Sequence, residues 1–426
     1  VLLVVDTDAL LPPPAGQVAT QTALFDALAI DVFLPGEDQP CTGCSQQFAL
    51  DEDIVNSGNA SVGIPEQPSV TGYRARVRLY HTTAPGAGPS PDSTIETVVA
   101  LPTVGDTGEI AITVFLGTDN VANPSGTLDA PVAPVLGTVT SGHAGTWAGA
   151  TVVPCAGTPN ANEVCIPGGA FWMGNAAASF AGGLGVATDI QRIVVLSPFF
   201  LDALETTVGD FRGQSTEGVG VWSGSTDGME TNDWCSYSTS TARDPLPMNC
   251  ITWQAAQNYC VAQGGTLPTE AQLEYVEGGL QGSLYVWGED DPACSDAVFG
   301  LAGYGSFFGD GDGECRAPLA FGGPLEPGRD HTGSRDVLVI GGQPLYDLAG
   351  NMGEWPVDSY EPEGEDCWPT GVLQDPVCAT GTTRLERGGS WVGTPENLRA
   401  AARIPRGAGL AAPDMGVRCA RPDEGP

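Results

Sequence analysis

The stretch that decides the C-terminal half of the chain is RGGSWVGTPENLRAAARIPRGAGLAAPDMGVRCAR, residues 387–421. It gathers six of the sixteen arginines beside a Gly-Gly-Ser-Trp turn and a single cysteine, in a chain with no lysine. A guanidinium offers five donors in a planar fork, which suits it to tie irregular loops together through carbonyls and carboxylates. Arg387, Arg399, Arg403, Arg406 and Arg418 therefore admit two readings, an internal tie or an anion-binding groove.

Outside this stretch the chain is acidic. Its 426 residues carry 52 acids against those arginines, a formal net charge of −36, with 41% hydrophobic and 16% charged residues. The length and apolar content suit two or three domains. Such a field repels phosphate backbones and excludes a nucleic-acid partner. It attracts cations, and calcium is the natural one for an acidic extracellular protein. Twelve cysteines among 59 glycines and 35 prolines indicate an oxidising compartment and up to six bridges. No apolar run is long enough to form a transmembrane segment. The opening VLLVVDTDAL is too short and too acidic for a signal peptide, so the chain reads as the mature form of an exported protein, its signal or lipid anchor removed.

Residues 1–120 alternate short β-type runs with turn clusters, which predicts a small immunoglobulin-like β-sandwich. In YRARVRLY the alternation sets Arg74, Arg76 and Arg78 on one face and Tyr73, Ala75, Val77 and Leu79 on the other. Cys41-Thr-Gly-Cys44 reads as a redox pair or as a bridge stapling a turn, and Asn59-Ala-Ser is a glycosylation sequon. Residues 121–164 are small, Pro/Gly/Thr-rich and nearly uncharged, and read as a linker whose end a Cys155–Cys165 bridge would pin. Beyond them only TWQAAQNYCVAQG, capped by Thr252, and TEAQLEYVEGG, capped by Thr269, look helical. The fold class is α+β.

Six ordered motifs carry a resemblance: IPGGAFWMGN, LSPFFLDALETTVGDF, PMNCITWQAAQNYCVAQGGTLPTEAQLEYVEGG, YVWGED, LYDLAGNMGEWPVDSY and the arginine-rich stretch. Over residues 165–422 the chain resembles the formylglycine-generating enzymes, the sulfatase-modifying factors. The resemblance implies a C-type-lectin-like domain with little regular structure. It also implies copper-dependent oxidation of a substrate cysteine by two cysteines just after the Gly-Gly-Ser-aromatic turn, since soft thiolates hold Cu(I). Here Gly393 and Leu398 stand at those positions, so no catalytic residue and no bound copper is expected. A sister branch with iron on three histidines is no better served, because His81, His143 and His331 place one histidine in this domain. The resemblance further pairs Cys260 with Cys419. Local pairing of the rest gives Cys235–Cys250, Cys294–Cys315 and Cys367–Cys378, which with the two pairs already named leaves no free thiol.

By the same resemblance Asn351 and Glu354, in AGNMGEW, would aim an amide oxygen and a carboxylate at calcium. The competing reading makes Asn351 a turn cap and Trp355 a core residue. Asp310 and Asp312 in GDGDGE form a second candidate calcium loop or a solvated one. Ser390, Trp391, Gly393, Leu398 and Arg399 would line a ligand cleft where the reactive pair is missing, although Trp391, with Trp172, Trp253, Trp287 and Trp355, reads by default as core. The expected function is a non-catalytic, exported binding or structural protein at the cell surface, with a protein, peptide or glycan partner. The alternatives are a homo-oligomer or polymer built by strand pairing of the β-sandwich, and a residual oxidoreductase.

Overall fold

A computed structural model describes residues 1–17, 22–67, 69–83, 87–105, 108–138, 142–175, 190–225, 230–301, 315, 323–328, 334–361 and 367–424. The chain divides into two compact units. Unit 1 is Val1–Thr151 with Ile190–Val195 and Thr370–Leu373, and unit 2 is Val152–Asp189, Leu196–Pro369 and Gln374–Pro426.

Among the described residues of 1–151 lie eight strands: β1 (Leu2–Thr7), β2 (Ala27–Phe33), β3 (Ser45–Ala49), β4 (Ser61–Gly63), β5 (Arg74–Tyr80), β6 (Thr94–Ala100), β7 (Ala111–Leu116) and β8 (Val135–Leu136). They form two four-stranded sheets, ordered β4-β1-β7-β8 and β3-β2-β5-β6. The second is antiparallel throughout, with β5 between β2 and β6. The alternation of β5 is realised: Ala75, Val77 and Leu79 are buried while the three arginines lie half-buried on the opposite face. There Arg78 pairs with Asp31, and Arg76 lies 3.5 Å from Glu96. The strand count fits a two-sheet β unit, but the order is not the immunoglobulin one, in which the first strand pairs with the second. Here β1 runs parallel to β7 and antiparallel to β4. Alternation fixes which face a residue takes, whereas partner choice rests on contacts distant in sequence.

A short helix, α1 (Glu52–Asn56), interrupts the strands. Asp51 caps it, accepting from the Ile54 N–H at 2.8 Å. Residues 121–151 do not form the expected linker but belong to unit 1. Ser125 and Val132 donate to Glu96 and Val98 of β6 at 2.8 Å, and β8 pairs with β7. Trp147 is buried, with its indole N–H on Asp119. Single bridges of this kind have no periodicity, so composition alone suggested a linker.

Among its described residues unit 2 has three α-helices: α2 (Val208–Phe211), α3 (Trp253–Ala262) and α4 (Glu270–Glu277). Thr207, Thr252 and Thr269 cap them, the first and last in reciprocal capping boxes with Asp210 and Gln272. The strand Phe199–Asp202 lies between Glu163–Ile166 and Ala420–Pro422, both antiparallel to it. Around Trp355 pack Val208, Phe211, Ile251, Met415 and Val417, and the Trp355 indole N–H reaches the Ile251 carbonyl at 3.0 Å. Regular structure is sparse. All twelve cysteines form disulfides, in the six pairs Cys41–Cys44, Cys155–Cys165, Cys235–Cys250, Cys260–Cys419, Cys294–Cys315 and Cys367–Cys378.

Candidate functional site

The Gly-Gly-Ser-Trp turn is built by backbone contacts that only glycine permits. Gly388 and Gly389 have φ of 79° and 70°, and a Cβ on Gly389 would lie 2.7 Å from the Asn397 carbonyl oxygen. Arg387 and Glu354 exchange backbone hydrogen bonds on one side of the turn, and Trp391 donates to the Asn351 carbonyl on the other. Past the turn, Thr394 and Asn397 close a capping box around the single 3-10 turn Pro395–Leu398. This turn drives Leu398 inward, where it packs with Tyr285, Phe299 and Ala349 at 1% exposure. A Cβ on Gly393 would lie 3.1 Å from the Ser390 carbonyl oxygen. One family cysteine position is thus a core position and the other is crowded backbone. Copper does not fit here: neither residue offers a thiolate, and every cysteine elsewhere is bridged.

The arginines point inward. Arg387 is fully buried among three glutamates of α4: it pairs with Glu274, lies 3.6 Å from Glu270 and 4.0 Å from Glu277, and donates to the Ala402 carbonyl at 2.8 Å. Arg403 grips Glu270 with two nitrogens. Arg406 joins Glu386 to Asp414, and Arg418 joins Glu354 to the Asp202 and Tyr346 carbonyls. Arg399 bonds the Tyr285 hydroxyl, and Arg421 clamps Glu163. Each arginine joins segments distant in sequence, so the charge concentrated in residues 387–421 frames the loops. Burial pushes the Glu277 carboxyl well above the usual range, with Arg387 opposing.

The expected calcium turn is occupied by protein. Asn351, at φ 56°, accepts from the Leu325 N–H through its amide oxygen at 2.8 Å and donates its amide to Glu205 at 2.7 Å. Glu354 faces Arg418 Nε at 2.8 Å. Burial raises the Glu354 carboxyl, and Arg418 is the main group lowering it. Calcium takes six to eight oxygens. Here the Asn351 amide oxygen already accepts the Leu325 N–H and one Glu354 oxygen faces a guanidinium, while the other Glu354 oxygen is buried with no hydrogen-bond partner among the described residues. Among the described residues no group of three His, Cys, Asp or Glu is placed to hold a metal ion. Asp310, Asp312 and His331 lie outside the described residues.

The expected ligand cleft is largely packed. Ser390 and Trp391 are buried, and the Trp391 indole bonds the Pro413 carbonyl and packs against Trp234. Gly393 and Arg399 are half-buried. Two clefts of unit 2 are lined in part by Tyr259. One cleft of about 410 Å³ includes Asp202, Glu205, Asp210 and Arg421, and one of about 460 Å³ includes Gln214, Gln254 and Asn258. Burial pushes the Asp202 carboxyl up to about 6 despite the Cys419 N–H and Arg418, and pushes the Tyr259 hydroxyl up to about 12. Sequence reasoning passed over both acids, although Asp202 and Glu205 stand in the motif LSPFFLDALETTVGDF.

Comparison with known proteins agrees with this frame. The chain is 27% identical over 296 residues to the inactive C-alpha-formylglycine-generating enzyme 2 of Mus musculus, covering 60% of this chain and 84% of the relative. It is 29% identical over 192 residues to the formylglycine-generating enzyme of the same organism, covering 42% of this chain and 45% of that relative. Among solved structures, PvdO from Pseudomonas aeruginosa superposes with a TM-score of 0.41 at 18% identity, covering 61% of this chain and 94% of PvdO. The family model described as the sulfatase-modifying factor enzyme 1-like domain matches residues 150–422. With nearly two-thirds of its length matched and the turn, the arginines and the long disulfide in place, the chain belongs to the sulfatase-modifying factor family.

Proposed function

We propose that this chain is an exported, non-catalytic member of its family, acting as a binding protein at the cell surface or in the extracellular space. One observation carries the reading: the two positions where the family's chemistry needs thiols are Gly393 and a core leucine, and all twelve cysteines are tied up in bridges. A bridged sulfur neither holds Cu(I) nor attacks dioxygen-derived species. Two relatives bear the name inactive C-alpha-formylglycine-generating enzyme 2, which supports the same reading. Six disulfides in a chain of this size support export, because such bridges persist in oxidising compartments.

A C-type-lectin-like frame that keeps its ties and loses its thiols still presents loops on a rigid support, and loops carry recognition. Ligand binding would then fall to the clefts beside Tyr259, since Trp391 and Leu398 are core. Titration with Cu(I) against a competing chelator tests the catalytic half of the proposal. No competition is expected. Stoichiometric capture of Cu(I) by the unreduced protein would overturn it.

A further inference from the structure

Unit 1 holds the largest of the clefts described here, a groove of about 550 Å³. Its apolar wall includes Ile30 and Val32 of β2, Val62 of β4, Ile64 and Tyr73. The volume falls within the range of ligand pockets, about 300–1,000 Å³. Two further features distinguish it from a packing gap. Residues of β3 and β4 both line it, and each of these strands ends its sheet, β3 pairing only with β2 and β4 only with β1. Edge strands offer unpaired main-chain groups that an added strand satisfies.

The second feature is Glu66. Both its carboxylate oxygens are shielded from solvent, and neither accepts a hydrogen bond among the described residues. A desolvated, unpaired carboxylate is costly unless a cation meets it. Burial accordingly raises the Glu66 carboxyl, with only the N-terminal amine opposing. The N-terminal amine donates to the Ile64 carbonyl at 2.8 Å and makes no hydrogen bond to the carboxylate. The chain contains no lysine, and the three arginines of residues 1–151 are engaged elsewhere: Arg74 with the Leu34 and Leu128 carbonyls, Arg76 with Glu96, and Arg78 with Asp31. Glu66 as a whole is half-buried and is one of the residues lining the groove. A net charge of −36 also favours a basic visitor over an acidic one.

We propose that this groove docks an extended peptide segment of another protein, one that alternates apolar side chains and sets a single basic residue against Glu66. Main-chain pairing with an edge strand would give affinity, the apolar wall would take alternate side chains, and the carboxylate would fix register. The proposal concerns unit 1 alone, so it stands or falls independently of the catalytic silence of unit 2.

The test uses the full chain and two labelled hexapeptides, Val-Thr-Arg-Thr-Val-Thr, whose arginine shares a face with its valines, and the same sequence with glutamate in place of arginine, read by fluorescence anisotropy. The basic peptide should bind saturably, and the acidic one at least tenfold more weakly. Glu66→Gln, which keeps the shape of the side chain, should weaken the basic peptide about tenfold without lowering the melting temperature. The difference between the peptides should vanish in that variant. No saturable binding, equal binding of the two peptides, or an unaltered Kd in Glu66→Gln would each overturn the proposal. So would concentration-dependent self-association that the basic peptide does not compete away, since a second copy would then occupy the groove.

Discussion

Replacing Arg387 by methionine removes the centre of the buried network and keeps most of its volume. Arg387 has no exposed side-chain surface, and its partners Glu270, Glu274 and Glu277 are 0%, 5% and 3% exposed. In wild type, Arg387 and Arg403 face these three carboxylates. The variant strands Glu274 without its guanidinium and leaves the Ala402 carbonyl short of a donor. Breaking a buried pair by deleting one partner costs about 3–5 kcal/mol, because the survivor stays desolvated. For a unit of this size that amounts to a fall of roughly 10 °C in melting temperature. Tryptophan fluorescence reports it selectively, since eight of the nine tryptophans lie in unit 2 and only Trp147 in unit 1. The pH dependence has a definite sign. Glu277 is already raised by burial, and losing Arg387 raises it further. A carboxyl whose folded pKa is raised contributes stability in acid that is lost as pH rises, so the deficit of the variant should shrink toward pH 4 and widen above neutrality. Adding Glu274→Met should recover part of the loss, which a pure packing defect would not allow. A shift under 2 °C, or a deficit that grows in acid, would refute the reasoning.

Other expectations follow from the same geometry. Leu398→Ala should lower stability by about 2–5 kcal/mol in denaturant titration, the usual range for a buried leucine, whereas a cleft residue would cost far less. Glu354→Gln should destabilise through its lost pair with Arg418, and calcium or chelator should shift wild type and variant equally; a calcium response present only in wild type would restore Glu354 as a ligand. Replacing Cys260 and Cys419 together by serine should cost about 5 kcal/mol in the chain-entropy model, since the bridge closes a loop of 159 residues. Asp358, pushed up to about 7 mainly by burial and then by Glu270, accepts the Glu270 and Cys378 N–H groups. Its contribution is complete below the unfolded carboxyl pKa and is lost as pH rises through about 7, so a melting curve against pH should fall across that window and flatten in Asp358→Asn.

What the sequence revealed and what it hid divide along one physical line. Features fixed by local chemistry were legible: the caps Thr252 and Thr269, the two-faced strand at residues 74–80, the missing thiols and the short-range bridges. Features fixed by a distant partner were not. Asn351 reads as a cap or as a ligand, and its bonds to the Leu325 N–H and to Glu205, 146 residues away, leave no local trace. Glu354 likewise carries no local sign of its pair with Arg418, which comes from the last strands. Trp391 reads by default as core and also as a cleft residue, and its bond to the Pro413 carbonyl has no local sign. Likewise β1 gives no sign of its parallel partner β7, and residues 121–151 hold their strands by bridges too short to leave a period.

The central claim is that a family frame persists here without its chemistry, and aldehyde formation tests it most directly. The purified chain, kept unreduced and supplied with copper and O₂, is incubated with a peptide bearing a sulfatase-type cysteine, and the peptide mass is followed. The account predicts an unchanged cysteine peptide at all times, with no alkylatable thiol on the protein before or after. Conversion of that cysteine to formylglycine above the protein-free control would contradict it.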